Sequence, residues 1–143
     1  MFKRLRQHFL LLGLICFAVV MSCSKSQKEN KVLRYASITG LKAEKLEAYK
    51  KLHADVWPTV LSKLKDCQIQ NYSIYLKEIK GEYYLFSYFE YTGDDFEQDM
   101  KNMAADPETQ KWWKETDPCQ IPLADAQAKG EVWSAMEEVF HME

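Results

Sequence analysis

The chain has 143 residues, enough for one ordinary domain and too few for two. With 47% hydrophobic and 28% charged residues, its composition is globular and excludes collagenous and low-complexity classes. The formal net charge is −2, and Arg34 is the only arginine after residue 22. A nucleic-acid partner is therefore excluded, because it would require a basic patch.

The N-terminus resembles a bacterial lipoprotein signal peptide. Lys3, Arg4 and Arg6 precede an apolar run at Phe9–Met21, whose 13 residues are fewer than the about 20 needed to cross a bilayer. The run ends in the sequence V-M-S-C, which resembles a lipobox and predicts lipidation of Cys23. Ordinary cleavage and an uncleaved anchor are the alternatives.

Three segments follow from this interpretation: a signal peptide at residues 1–22, a polar tether at 23–31 and a folded domain at 32–143. Removing residues 1–22 takes away three basic and no acidic side chains, which moves the formal charge from −2 to −5. The Ser24-Lys25 pair directly after Cys23 lacks the acidic residue that resembles an inner-membrane retention signal. The predicted location is therefore the bacterial cell envelope, with a lipid anchor in the outer membrane facing the periplasm.

The first half of the domain predicts a strand followed by a long helical segment. Residues 32–39 are rich in β-branched and aromatic side chains, which favour a strand. Pro58 is expected to kink the following helix or to start a new one. Apolar and aromatic residues recur there at the three- and four-residue steps of one helix face: Leu46, Tyr49, His53, Val56, Val60 and Leu64.

The second half predicts a hairpin, two helices and a last strand. Residues 70–79 and 83–91 read as strands joined by a short turn at 80–82. A stripe of Phe96, Met100 and Met103 predicts one helix, and Asp106-Pro107-Glu108 is a start signal for the next. Residues 117–130 are expected to form a loop, and residues 131–142 the last strand.

The element order βαββαβ predicts an α+β fold of the ferredoxin-like class, an antiparallel sheet with helices on one face. The other face of the sheet would remain uncovered and is rich in aromatic residues. We therefore expect a homodimer.

His53 is the strongest candidate for acid–base chemistry, because imidazole exchanges protons near neutral pH. Tyr49 precedes it by one helical turn and shares its face. Tyr72 and the pair Trp112-Trp113 supply aromatic surfaces, and indole rings stack on the C–H faces of sugars. Packing in the core is the alternative for each of these aromatic residues.

Other site types find no support in the sequence. The chain has no glycine-rich phosphate loop and no nucleophile elbow, and Cys67 and Cys119 fit no metal or redox spacing. The two cysteines could either form a disulfide with each other or remain as two buried thiols. We therefore expect no cofactor and no metal.

Four motifs follow one another along the domain: Y-x3-H-x3-W-P at residues 49–58, N-Y-x-I-Y-L at 71–76, W-W-K at 112–114 and E-V-F at 138–140. Their order and spacing resemble the L-rhamnose mutarotase family, over nearly all of the predicted domain. That family consists of dimeric α/β barrels of ferredoxin-like subunits that act without a cofactor.

The resemblance implies that His53 is the proton donor and that the sugar is contacted by Tyr49, Tyr72, Trp112 and Trp113. The predicted function is that of an isomerase, an aldose mutarotase that interconverts the α and β anomers of L-rhamnose or a related deoxy sugar. The predicted partners are a monosaccharide, a second copy of the chain and, through the N-terminal lipid, a membrane. Two alternatives are a non-catalytic sugar-binding lipoprotein and a dimeric monooxygenase-type or ligand-sensing module.

Overall fold

Residues 31–142 are described by the structure, a computed structural model with five strands and five α-helices in that range. The elements in chain order are β1 Leu33–Leu41, α1 Leu46–Ala54, α2 Pro58–Asp66, β2 Ile69–Ile79, β3 Glu82–Tyr91, α3 Phe96–Ala104, α4 Pro107–Thr116, β4 Gln120–Ile121, α5 Ala124–Gln127 and β5 Ser134–Met136.

The sheet is antiparallel throughout, with the strand order β2-β3-β1-β4 and with β5 also paired to β1. β4 and β5 together occupy the place of one fourth strand beside β1. The order is that of a βαββαβ unit whose last strand is divided in two. The predicted ferredoxin-like α+β fold is confirmed.

The hairpin between β2 and β3 has the predicted position. Its turn residues, Lys80 and Gly81, have φ angles of 53° and 84°. Two successive positive φ angles define a type I′ turn, whose twist matches the right-handed twist of the strands it joins. Nothing lies within 4 Å of the position that a Cβ atom would take on Gly81, so the backbone conformation and not a shortage of space favours glycine there.

The long helical segment is divided at Pro58. α1 ends at Ala54, and α2 begins with Pro58 in its first turn, where a proline costs no hydrogen bond. Trp57 precedes α2 in an extended conformation, with φ −57° and ψ 132°. Of the two expected effects of Pro58, a new helix is the one observed.

The segment after α4 differs from the sequence-based prediction. The expected loop at 117–130 contains β4 and α5, and the expected strand at 131–142 is only the three-residue β5. Two- and three-residue strands are too short to show an alternating pattern, and they form because distant β1 offers them backbone partners. The Thr39 hydroxyl on β1 also donates a hydrogen bond to the Val132 carbonyl at 2.8 Å.

Two clusters of buried side chains join the helices to the same face of the sheet. Tyr49 of α1 packs with Leu41, Leu85 and Cys119. Met103 of α3 packs with Cys67 and Ile69. Both cysteines are buried and unpaired in the described part of the chain, so neither forms a disulfide there.

Leu85 tests the packing of the first cluster. Replacing Leu85 by Ala should lower the free energy of unfolding by about 2–5 kcal/mol, because the substitution removes buried methyl groups and leaves a cavity. Urea denaturation followed by circular dichroism measures the change. Lys51→Ala, at an exposed position of α1, is the control and should change stability little. Equal stabilities of the two variants would contradict the assigned core.

Candidate active site

A cavity of about 920 Å³ lies between the sheet and helices α1 to α4. All five domain residues singled out from the sequence line it: Tyr49, His53, Tyr72, Trp112 and Trp113. The fold therefore brings together side chains that are more than 60 positions apart along the chain. Their roles in binding or catalysis stay predictions.

His53 lies in the last turn of α1, where its Nδ1 atom is 3.0 Å from the carbonyl oxygen of Tyr49. Because a carbonyl oxygen only accepts hydrogen bonds, Nδ1 carries the proton and donates it. Nε2 then holds the lone pair when the imidazole is neutral. The tautomer of His53 is therefore fixed by a hydrogen bond to a residue one turn earlier in the same helix.

Aromatic rings surround the imidazole on two sides. The Tyr49 ring stacks on it with 4.1 Å between centroids, and the Trp112 ring meets it edge-on at 5.3 Å. Burial among these rings lowers the pKa of His53 below its ordinary value of about 6.5, and the hydrogen bond to Tyr49 opposes this shift only in part. His53 is therefore neutral at pH 7 and presents Nε2 as a proton acceptor.

α4 gives the two cavity-lining tryptophans different exposures to solvent. The helix is started by Asp106, whose carboxylate accepts the backbone N–H of Thr109 at 2.8 Å, with Pro107 in the first turn. Trp112 is 6% exposed and also packs edge-on against Trp57, whereas Trp113 is 36% exposed. Trp112 is thus a fixed wall and Trp113 a partly solvated edge.

A bulge in β2 positions Tyr72. The strand register shifts between Gln70 and Ser73, and Asn71 within this segment has a φ of 50°. The Gln70 and Asn71 amides both donate to one carboxylate oxygen of Glu90, at 2.9 and 2.7 Å. These bonds tie the bulge to the neighbouring strand.

The Tyr72 side chain lines the cavity and is 42% exposed. Burial raises the pKa of its hydroxyl to about 12. The Tyr72 ring meets Phe89 edge-on at 5.6 Å. Tyr72 therefore contributes a neutral hydroxyl that can donate a hydrogen bond to a ligand.

Gln120 was missed by the sequence analysis, because it lies in a two-residue strand within the expected loop. It lines the cavity, is 5% exposed and donates from Nε2 to the Tyr49 hydroxyl at 3.3 Å. Its Oε1 atom is buried and has no hydrogen-bond partner in the described part of the chain. A buried polar atom without a partner costs about 1–3 kcal/mol.

The low polarity of the cavity also shifts the pKa values of the Tyr49 hydroxyl and the Asp117 carboxyl group. Burial raises the pKa of the Tyr49 hydroxyl far above its ordinary value, and the hydrogen bond from Gln120 opposes this shift. Burial also raises the pKa of Asp117, which lines the cavity beside Gln120. Desolvation therefore favours the neutral forms of both groups.

Residues 31–142 contain no group of three or more histidine, cysteine or acidic side chains arranged to hold a metal ion. The polar groups described above are instead hydrogen-bonding and proton-exchanging ones. They stand beside indole and phenyl surfaces, as expected where a ligand has both apolar faces and hydroxyl groups. Fold and cavity together define a ferredoxin-like protein whose sheet and helices enclose a cavity lined by aromatic and hydrogen-bonding side chains.

Comparisons with known proteins agree with the fold and with the family resemblance seen in the sequence. A sequence profile of the L-rhamnose mutarotase family matches residues 34–142. L-rhamnose mutarotase of Bacillus subtilis is 34% identical over 110 residues, covering 77% of this chain and 98% of the relative. The Lactiplantibacillus plantarum enzyme of that name is 30% identical over 112 residues, covering 78% and 100%. The crystal structure of L-rhamnose mutarotase from Formosa agariphila matches with a TM-score of 0.59 and 28% identity, covering 78% of this chain and 99% of that one.

The chain belongs to the L-rhamnose mutarotase family. The predicted family is thereby confirmed, and with it the isomerase class.

The predicted envelope location, with a lipid anchor facing the periplasm, is wrong. The two curated relatives are matched over 98% and 100% of their length by about three quarters of this chain. These two relatives thus correspond to the domain alone, and the family match begins at residue 34, after the leader on which the prediction rested.

The predictions for the N-terminus itself concern residues that the structure does not describe. The predicted signal peptide, the predicted lipidation of Cys23 and all but the last residue of the tether lie outside the described residues. Within residues 31–142, none of the helices has the length and apolar character needed to cross a membrane.

The lowered pKa of His53 can be measured directly. A proton-NMR titration of the imidazole should give a midpoint below 6.5, because burial among Tyr49 and Trp112 disfavours the charged form. The same protein unfolded in urea is the control, and its His53 should titrate near 6.5. Since protonation then favours the unfolded chain, His53 should also make the fold less stable as the pH falls through 6.5. A folded-state midpoint above that of the unfolded chain would contradict the assigned surroundings.

Proposed function

We propose that this chain interconverts the α and β anomers of L-rhamnose, or of a closely related deoxy sugar, in the cavity described above. The observation that carries the proposal is the geometry of His53. Its Nδ1 atom is held by the Tyr49 carbonyl, so Nε2 is the nitrogen left to exchange a proton with a ligand in an aromatic cavity. Membership of the L-rhamnose mutarotase family supports the choice of reaction and sugar.

The chemistry needs one group that accepts a proton and then returns it. Neutral His53 accepts the proton of the anomeric hydroxyl at Nε2, and the imidazolium then donates it to the ring oxygen as the bond between that oxygen and the anomeric carbon breaks. Both sugar oxygens are bonded to the same carbon, so one nitrogen can reach each in turn. The open aldehyde rotates, and the reverse steps close the ring on its other face. Proton transfer of this kind contributes about 10²–10⁴-fold to a rate.

The remaining cavity residues suit an uncharged deoxy sugar. The Trp112 and Trp113 rings offer flat apolar surfaces for C–H groups, and the Tyr49 and Tyr72 hydroxyls are neutral hydrogen-bonding groups. A deoxy sugar also presents a methyl group in place of a hydroxyl. The apolar side chains that can receive it include Ile69, Phe89, Met100 and Met103.

His53→Gln tests the reaction. The variant keeps a side chain of similar size but cannot act as a base, so the rate of anomer exchange of L-rhamnose should fall about 10²–10⁴-fold. Saturation-transfer NMR between the two anomeric protons measures the exchange, and calorimetry should show that sugar affinity changes little. Lys51→Gln, on the same helix and exposed, is the matched control.

Two outcomes would contradict the proposed reaction. The first is a wild-type protein that exchanges the anomers of L-rhamnose and other aldoses no faster than buffer does. The second is His53→Gln with undiminished activity. Sugar binding without any rate enhancement would identify a binding protein instead.

The proposed assembly is a homodimer formed through the sheet face opposite the helices. Strand alternation places mostly apolar and aromatic residues on this face, among them Ala36, Ile38, Tyr75, Phe86, Tyr88 and Met136. The segment after β5 adds Val139, Phe140 and Met142, which are almost fully exposed. A second copy fits best, because a twofold arrangement buries both apolar surfaces of each chain at once.

Tyr75→Asp tests the dimer. Tyr75 is the most exposed aromatic residue of the strands, and a carboxylate there would be buried without a partner in the interface. Light scattering coupled to size exclusion should give a dimer mass for the wild type and at least a tenfold weaker association for the variant. Glu47→Lys, exposed on α1, should remain dimeric. A wild-type protein that is monomeric at micromolar concentration would refute the assembly.

A further inference from the structure

We propose that Gln120 determines which sugars this site accepts: its side-chain carbonyl accepts a hydrogen bond from one hydroxyl of the bound sugar, and its amide N–H group orients the Tyr49 hydroxyl toward the same sugar. The inference rests on the proposed function and adds a specificity-determining residue to it.

The backbone of Gln120 is held on both sides. β4 pairs with the end of β1, where Gln120 lies opposite Leu41 and Ile121 opposite Gly40. The backbone N–H of Lys42 donates to the Cys119 carbonyl at 2.9 Å. A Cβ atom on Gly40 would come within 2.9 Å of the Ile121 carbonyl oxygen, so this close pairing requires glycine. The side chain of Gln120 therefore starts from a fixed point beside the cavity.

Within residues 31–142, only one end of the Gln120 side-chain amide has a hydrogen-bond partner. Nε2 donates to the Tyr49 hydroxyl oxygen at 3.3 Å, so that oxygen is an acceptor and its own proton is available for another group. Oε1 is buried and has no partner within residues 31–142. Gln120 and Tyr49 both line the cavity, so a molecule bound there would lie next to both side chains.

A hydroxyl group complements this pair, because it accepts one hydrogen bond and donates another. One sugar hydroxyl can accept from the Tyr49 O–H and donate to the Gln120 carbonyl. A sugar with hydrogen at that carbon leaves the buried carbonyl unpaired on binding. Sites built around buried polar groups reject such analogues more strongly than apolar pockets reject a lost methyl group.

Gln120→Met tests the carbonyl, because methionine has a similar length and volume and cannot form this hydrogen bond. Exchange rates and affinities are measured for L-rhamnose and for its analogues that lack one ring hydroxyl each. For the wild type, one analogue should lose about tenfold in affinity or in kcat/KM relative to L-rhamnose. In Gln120→Met that ratio should fall to near one, while the ratios for the other analogues stay as in the wild type.

A double-mutant cycle tests the second part of the proposal. If Gln120 acts through the Tyr49 hydroxyl, Tyr49→Phe combined with Gln120→Met should cost less in kcat/KM than the product of the two single effects. A merely structural role for Gln120 would lower the melting temperature and leave all analogue ratios unchanged. Gln120→Leu replaces Gln120→Met if the latter does not fold.

The outcomes separate this inference from the proposed function. A wild type that exchanges anomers but shows the same analogue ratios as Gln120→Met overturns the role of Gln120 alone. A wild type that binds the sugars without exchanging them overturns the proposed reaction, and the affinity ratios still decide the role of Gln120. A wild type that neither binds nor exchanges any of the sugars overturns both.

Discussion

The burial of Tyr49 is the constraint on which the rest of the site depends. Its ring belongs to the core cluster with Leu41 and Leu85, and the same ring stacks on His53. Its carbonyl oxygen accepts the hydrogen bond that fixes the tautomer of His53, and its hydroxyl oxygen accepts a hydrogen bond from the side-chain amide of Gln120. One residue thus connects the sheet, the acid–base group and the hydrogen-bonding edge of the cavity, so the packing of the core sets the geometry of the site.

Desolvation has opposite effects on the titrating groups, because their charged forms differ in sign. It lowers the pKa of the His53 imidazolium and raises the pKa of the Tyr49 and Tyr72 hydroxyls. All three rings are therefore neutral at pH 7. A cavity of this kind suits an uncharged ligand with hydroxyl groups, and of the three groups His53 is the one whose ordinary pKa lies near neutral pH.

Features that depend on short stretches of sequence were predictable. The restart at Pro58, the hairpin turn at residues 80–81 and the N-cap at Asp106 each follow from one or two residues whose backbone preferences are strong. Neighbouring residues on a helix point about 100° apart, which predicts different surroundings for Trp112 and Trp113. Their different exposures agree with that expectation.

The region after α4 was not predictable in the same way. β4 and β5 carry little pattern of their own, and they form because β1 supplies hydrogen-bonding partners about 80 and 100 residues earlier in the chain. Gln120 was missed for this reason. The predicted envelope location was wrong for another reason. It rested on a leader motif that lies before the matched domain, and this motif carries no information about the proteins that the domain resembles.

By itself, the sequence determined the adjacency of Tyr49 and His53, because one helical turn places them together whatever the rest of the chain does. It also determined the alternation of helices and strands up to the end of α4. Only the tertiary structure decided that Tyr72, Trp112 and Gln120 meet that pair in one cavity. Contacts between residues this far apart depend on which strands pair and on how the helices pack against them, and no local pattern encodes either.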